Sequence, residues 1–420
     1  MAAVDFALLQ LEESPLNETT YLLAATPNRV ATEKLYLPVT AAQLSPNPAY
    51  KDRADELRSI LGAVPKLIES YAPAGSIAEN CYVHDLTWLL ELAGFAGVYT
   101  AGGAAVTGPE STTATGINAL NSAVVNVGST AGFPGLATTP SPVFVMGGVA
   151  TTYTGVTATS FTGCGNHAAT VGGEVINDNV PTGASKWVFT KRSGIIARTA
   201  QIIANYADEA MQLHGNGYAV SQLALTADGA LTATLEGLLL KQLAVDAASV
   251  PVYASSAIPP VRRGDLSLTW LTGSAVPGDF SLAIANPLSP VRTLSITPPS
   301  NYPDSMEFGD SQVELTGSIP KRILSATDYD ALMAATTFAA KARWKTSKVI
   351  GASTFAWYTV VVEMPACQYT GGDADPVANK RRFGASFNFA AAYDEVTGQD
   401  VKITLVNDVT ALGTSVGFTY

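Results

Sequence analysis

Between Val313 and Pro320 the chain alternates, with Val313, Leu315, Gly317 and Ile319 on one side and Glu314, Thr316, Ser318 and Pro320 on the other. A period of two marks a strand with one buried face. The period then changes. Tyr329, Leu332, Met333 and Thr336 fall at i, i+3, i+4 and i+7, which predicts one amphipathic helix with that stripe inward on its own sheet by default, a contact between domains being the alternative. Thr327 is placed to cap it, and Asp328 and Asp330 stand in its first turn, where the helix dipole favours negative charge.

The same succession occurs earlier. Gly75-Ser76-Ile77, Asp85-Leu86-Thr87-Trp88-Leu89-Leu90 and Phe95-Ala96 return as Gly317-Ser318-Ile319, Asp328-Tyr329-Asp330-Ala331-Leu332-Met333 and Phe338-Ala339. From Gly to Asp the spacing is 10 residues in the first copy and 11 in the second, whereas Asp-to-Leu (4) and Asp-to-Phe (10) agree. A one-residue slip between strand and helix is what a loop or bulge absorbs. The chain therefore reads as one strand–loop–helix unit carried twice, anchored by Asp85, Leu89 and Phe95 in one copy and by Asp328, Leu332 and Phe338 in the other.

Around these copies, residues 1–33 are weakly patterned and read as an arm that orders on contact with a partner. Lys34 to Gln43 predicts a strand and Lys66 to Tyr82 one or two more. Between them runs the Pro-flanked Ser45 to Pro65, with a short helix predicted over Asp52 to Leu61, and Asn286 to Gly309 holds the corresponding place in the second copy. Connections longer than about 12 to 15 residues usually have a job. From Ser111 to Gly173 there is no Asp, Glu, Lys or Arg, only short alternating runs rich in Gly, Thr, Ala and Val, which predicts a β module inserted over about residues 100–172.

Further strands are predicted at Lys186–Lys191 and Thr199–Tyr206, with a hairpin of Tyr218–Thr226 and Ala230–Leu239 turning at Ala227-Asp228-Gly229. In the second copy they are predicted at Leu266–Trp270, Phe280–Ala285, Phe355–Gln368, Phe383–Asp394 and Val401–Val406. The expectation is a mainly β protein with two tandem β-sandwich or barrel domains, each flanked by one helix, plus the small module. The first domain covers residues 1–246 and the second 265–420, joined by a linker over 247–264 that contains Pro259-Pro260.

Composition changes the picture in two ways. The formal net charge is −11 and the pI near 4.8, which disfavours tight binding to nucleic-acid phosphates. Charged residues are only 14%, against about 25% in typical domains. Low charge without a run of about 18 apolar residues points to a surface covered by neighbouring subunits, with an Ala/Thr-rich monomer as the alternative. Met1 to Gln10 lack Lys and Arg, so no secretory signal is expected either. Cys81, Cys164 and Cys367 are odd in number and far apart, and read as buried reduced thiols.

Taken together, KLYLPVTAAQLSPN at Lys34 to Asn47, GSI with its helix at Gly75 to Phe95, GYAVSQLALTADGALTATLEG at Gly217 to Gly237, GDFSLAIANPL at Gly278 to Leu288 and VELTGSIPKRILSATDYDALM at Val313 to Met333 resemble the tail tube proteins, or major tail proteins, of long-tailed bacteriophages. The resemblance is to the kind in which one chain holds two tube domains. NVGSTAGFP with VFVMGGVATTYTGVTATSFTG, within Asn126 to Gly163, looks like a β module found in various phage structural proteins and departs from the minimal tube family.

The resemblance implies trimeric rings with pseudo-sixfold symmetry, stacked into a virion tail tube that conducts DNA without sequence-specific binding and is made in the host cytoplasm. Its implied partners are other copies of itself, a tape measure, a tail tip and a terminator. No membrane and no cofactor is implied. The two long connections are then the expected ring-to-ring contacts, through Tyr50, Lys51, Arg53, Arg292, Tyr302 and Asp304.

Catalytic spellings are sparse. A P-loop is missing, and Gly163-Cys164-Gly165-Asn166-His167-Ala168 ends a β module and opens no helix, unlike a dinucleotide loop. Cys81 and His84 have the spacing of a metal pair, but structural zinc needs four ligands and no second pair follows. Asp373 and Asp375 read as a hairpin tip, since a calcium loop needs further spaced oxygens. Lys380-Arg381-Arg382 reads as a solvated strand end or a salt bridge to an acidic neighbour. The expectation is a non-enzymatic structural subunit. Its rivals are a virion protein that caps or coats without stacking, such as a tail terminator or head decoration, and a carbohydrate-active β-sandwich enzyme, which would need two convergent carboxylates and aromatic platforms.

Overall fold

In the strand Ala74–Asn80 the odd positions Gly75, Ile77 and Glu79 are buried and the even ones half-buried, the kind of alternation read from the sequence for its counterpart Val313 to Pro320. The computed structural model of the chain describes residues 6–11, 34–37, 39–51, 66–131, 133–134, 142–165, 167, 169, 171–191, 200–206, 211–228, 230–239, 241–246, 260–271, 280–291, 302–303, 305–308, 314–321, 326–351, 356–374 and 385–410. The protein is mainly β, with antiparallel sheets and, among the described residues, two α-helices, α1 (Val83–Leu92) and α2 (Ala326–Met333).

Each half builds a front sheet of the same four strands in the same spatial order. In the first half these are Val39–Ser45, Ala74–Asn80, Ala230–Leu238 and the C-terminal part of Met211–Asp228. In the second they are Ser281–Ala285, Glu314–Lys321, Ala385–Ala392 and the C-terminal part of Trp357–Ala374. Both long strands then cross to a rear sheet. The N-terminal part of Met211–Asp228 pairs with Ala200–Tyr206 and Lys241–Asp246, while that of Trp357–Ala374 pairs with Thr337–Val349 and Lys402–Asn407. Front and rear share one core that spans both halves. Trp270 meets Phe389 at 5.0 Å between ring centroids, and Phe280 meets Trp344 at 5.8 Å.

Even the irregularities are duplicated. On the front ladder, Val220 faces Gly237 and Gln222 faces Glu236, leaving Ser221 as the extra residue, just as Tyr369 faces Phe389 and Gly371 faces Asn388, leaving Thr370. On the rear ladder, Ala200 faces Tyr218 and Ile202 faces Gly215, as Phe338 faces Cys367 and Ala340 faces Met364. Bulges bend the strand that carries them, so the paired bulges mark where both long strands pass from rear to front.

Register also corrects part of the sequence reading. Phe95 and Phe338 both follow a helix, but they hold different places in the sheets, because Phe338 corresponds to Ala200. Phe95 opens the strand Phe95–Ala101, which pairs with Ser185–Lys191 in a hairpin that the second half lacks. The β module sits on this hairpin. Its strands run from Thr107 to Asn179 around a core of its own that includes Phe144, Tyr153 and Phe161. The expected N-terminal arm contains a strand, Phe6–Leu11, between Ala200–Tyr206 and Lys34–Leu37. Thr337–Val349, Lys241–Asp246 and Phe95–Ala101 are strands that the sequence reading did not name.

The helices differ from their predicted stripes. All ten residues of α1 are buried, polar His84, Thr87 and Glu91 included, because strands of both halves close over it. In α2 only Asp328 and Ala331 are buried, while Tyr329 is 47% and Met333 70% exposed. Of the predicted inward stripe, Leu332 packs against the core while Tyr329 and Met333 face outward. Helix α2 also begins at Ala326, so Thr327 lies inside it and is not its cap.

Candidate assembly interface

The front sheets of the two halves join edge to edge. Gln222–Thr226 of the first half pairs with Ser281–Ala285 of the second, Leu223 opposite Ile284 and Leu225 opposite Leu282. Asn286, 3% exposed, locks the end of this joint: its backbone N–H donates to Ser221 O at 2.7 Å and its Nδ2 to Val220 O at 2.9 Å. One side-chain amide thereby satisfies the carbonyl beside the bulge. The rear sheets join as well, through Ser185–Lys191 and Lys402–Asn407, with Trp187 opposite Leu405 and its indole N–H donating to Val409 O at 2.8 Å.

In the joined front sheet two edges stay open among the described strands. Val39–Ser45, which corresponds to Ser281–Ala285, has Ala74–Asn80 as its ladder partner on one side and no strand on the other. Gly371–Ala374, which corresponds to the joining residues Gln222–Leu225, pairs with Ala385–Asn388 on one side only, since Thr337–Val349 leaves that strand at Gln368. Unpaired edges of this kind are templates for another chain.

The two long connections each start as a hairpin. Pro48–Lys51 pairs with Leu67–Tyr71, and Leu288–Val291 with Ser305–Phe308. Tyr71 and Tyr302 stack across them, with centroids 4.4 Å apart and planes at 8°. Of the expected ring-to-ring residues, Tyr50 and Lys51 end the first hairpin strand, with Tyr50 57% exposed, and Tyr302 sits in the stack. Arg53, Arg292 and Asp304 lie outside the described residues, as does the helix predicted over Asp52 to Leu61. The repeated anchors fare differently. Asp85, Leu89, Phe95 and Asp328 are fully buried, Phe338 is 9% exposed and Leu332 partly buried.

The chemistry that the spacings suggested is used for packing. His84 Nε2 bonds Asp408 Oδ1 at 3.0 Å and its ring lies 5.1 Å from that of Tyr358, so the imidazole serves the contact between halves. Burial pushes the Asp408 carboxyl up, but the hydrogen bonds and charge of His84 outweigh it and hold it below the ordinary carboxylate range. Cys81 is fully buried, and burial, followed by the charges of Glu79 and Asp85, raises its thiol well above the usual value. Among the described residues no group of three or more His, Cys, Asp or Glu is placed to hold a metal ion. Asp373 pairs opposite Ser386 within the long strand, whereas Asp375 and Lys380-Arg381-Arg382 lie outside the described residues. His167 bonds Ser122 O at 2.9 Å inside the module.

A charged seam seats the module on the rear sheet. Lys341 donates to Pro109 O at 3.1 Å, Arg343 meets Glu110 at 2.8 Å and Lys186 donates to Thr107 O at 2.6 Å. Beneath it, Asp178 accepts from the Glu110 N–H at 2.9 Å, and burial raises its carboxyl to about 7. Burial, then the nearby Arg343, lowers Lys345 to about 8, while its ammonium sits 3.9 Å over the Trp357 ring.

No family model matches the chain, and no curated protein matches it significantly. Sequence reasoning missed both joints, and Asn286 as the residue that locks one. The signal available was Asn286-Pro287 echoing Asn47-Pro48 at the end of each edge strand. Among the described residues no helix is long and apolar enough to cross a membrane.

Proposed function

We propose that the chain is a structural subunit that joins copies of itself into rings, which stack into the tail tube of a long-tailed bacteriophage. The observation that carries this reading is the front-sheet joint of Gln222–Thr226 with Ser281–Ala285, together with open edges of matching type at Gly371–Ala374 and Val39–Ser45. A contact made once inside the chain, with its two complementary surfaces free at either end, is a heterologous contact that repetition closes into a ring. Three chains, each supplying two similar halves, give six near-equivalent joints. The hairpins tied by the stack of Tyr71 on Tyr302 are assigned the role of contacts between rings. Net charge of −11 suits a wall past which DNA phosphates slide without sticking.

Negative-stain electron microscopy over a concentration series, with the oligomer mass measured alongside, tests the proposal. Hollow tubes or stacked three-chain rings are the expected result. Closed rings that never stack, even with a tail-tip complex supplied, would transfer the reading to a terminator or decoration protein.

A further inference from the structure

We infer that the exposed face of α2 is a docking surface for a second copy of this chain, and that what covers it is the rear sheet of that copy's first half. The inference rests on the reading of the chain as a self-assembling subunit and assigns a contact separate from the edge pairing.

The argument is the difference between two equivalent helices. Aligned on the buried carboxylates Asp85 and Asp328, Leu86 corresponds to Tyr329, Thr87 to Asp330 and Leu90 to Met333. Leu86 and Leu90 are 1% exposed and Thr87 fully buried, whereas Tyr329 is 47% and Met333 70% exposed. Part of what encloses α1 is the neighbouring half. Asn407 Nδ2 donates to Thr87 Oγ1 at 2.8 Å and to Val83 O at 3.3 Å, and the next residue, Asp408, binds His84. The covering strand Lys402–Asn407 lies in the rear sheet of the second half, just across the joint.

Each half has such a strand. Lys402–Asn407 pairs with the N-terminal part of one long strand, Ile403 opposite Val362, and Lys241–Asp246 pairs with the N-terminal part of the other, Ala244 opposite Leu213. Helix α2 lies beside the open Gly371–Ala374 edge, since the loop that follows it is tied to that strand where Gln368 Nε2 donates to Ala335 O at 2.7 Å. A second copy seated on the edge through Val39–Ser45 carries its Lys241–Asp246 strand over α2, as Lys402–Asn407 lies over α1. Tyr329 and Met333 of α2, outward in one chain, are inward in the pair.

Methionine oxidation reads this contact directly. Hydrogen peroxide is applied to the single-chain and assembled fractions of the full chain, separated by size, and sulfoxide is located by mass spectrometry. Buried Met146 and Met364, each 1% exposed, serve as protected references. Oxidation of Met333 should be roughly tenfold slower or more in the assembly, because a desolvated interface core excludes the oxidant. The double variant Tyr329→Glu with Met333→Arg should keep the wild-type melting temperature and fail to assemble.

Assemblies in which Met333 oxidises at the single-chain rate, or which the double variant forms as readily, overturn this inference and leave the tube reading standing. Assemblies that protect Met333 but never form tubes support it and overturn the tube reading. A chain that stays single at every concentration, with polyethylene glycol added, overturns both.

Discussion

The phenol of Tyr369 donates a hydrogen bond to Asp328 Oδ1 at 2.9 Å, and the Trp270 indole N–H donates to the Tyr369 oxygen at 3.0 Å. This buried relay ties the first turn of α2 to its own sheet. Tyr369→Phe removes one donor from a carboxylate with no solvent access, which should cost about 1 to 3 kcal/mol in denaturant unfolding. Burial, then the Asp328 bond, raises the Tyr369 phenol above its ordinary value. A raised folded-state value contributes stability in full below the unfolded value near 10 and loses it as pH rises further. Wild type should therefore lose stability above about pH 10 faster than Tyr369→Phe.

The repeated Gly-Ser-Ile phrase has a steric cause. A Cβ on Gly317 would lie 2.2 Å from Ser281 O and 2.5 Å from Phe389 Cζ, whereas one on Gly75 would meet Leu44 Cδ2 at 2.8 Å and the Tyr218 ring at 3.3 Å. A backbone oxygen cannot step aside, but a leucine methyl can rotate. Gly317→Ala should thus cost roughly 1 to 3 kcal/mol, and Gly75→Ala clearly less, by urea unfolding. Equal losses would contradict this account.

Those glycines show why the repeat was legible and the joints were not. Glycine under an aromatic ring and aspartate at a helix start are demands made within each half, so each half spells them out. The joint at Leu223 and Ile284 needs only ordinary alternating apolar residues, which any half-buried strand supplies. Thr337–Val349 escaped notice because its inward positions include the small Ala340 and Ala342 while Lys341, Arg343 and Lys345 alternate with them. The stripe of α2 was found in the sequence, but periodicity marks an apolar face without saying whether its cover lies in the same chain.

Asp178 sets a pH signature for module docking. Its folded-state value of about 7 lies above the unfolded value of about 3.9. The folded chain therefore binds the extra proton between these limits, and stability from this group is full below about pH 4 and lost as pH rises through 7. Asp178→Asn keeps an oxygen for the Glu110 N–H and cannot ionise. Relative to wild type, it should gain about 2 to 4 kcal/mol between pH 4 and pH 8. A gap between the two melting curves that does not change with pH would refute the assignment.

Register makes the edge pairing testable at single residues. Ala224 faces Ala283 and Leu225 faces Leu282 inside the chain, so the proposed joint between chains would pair Asp373 with Ser45 and Ala374 with Leu44. Directly opposed strand residues lie within disulfide reach. Ser45→Cys with Asp373→Cys should give a ladder of crosslinked chains under mild oxidation, and either single variant none. Native Cys81, Cys164 and Cys367 are buried and should not interfere.

The hairpins test stacking apart from ring closure. Tyr71→Ala and Tyr302→Ala should each weaken ring-to-ring association, and in a double-mutant cycle the pair should couple by about 0.5 to 1.5 kcal/mol. Shortening residues 52–65 or 292–301 should leave folded protomers that do not polymerise. Unaltered tubes from both deletions would remove these hairpins from the assembly.

Ala101 and Ser185 face each other across one ladder, and Gly102 N–H donates to Ala184 O at 2.9 Å, so the module leaves and re-enters the sheet at adjoining residues. With its own core, it is cargo on a socket. The host strands Phe95–Ala101 and Ser185–Lys191 pair with each other directly, so a guest needs only termini that lie side by side. If the chain assembles as proposed, a compact domain with neighbouring ends spliced between Ala101 and Ser185 would be carried at fixed intervals along the tube, which would make this hairpin an attachment point for display.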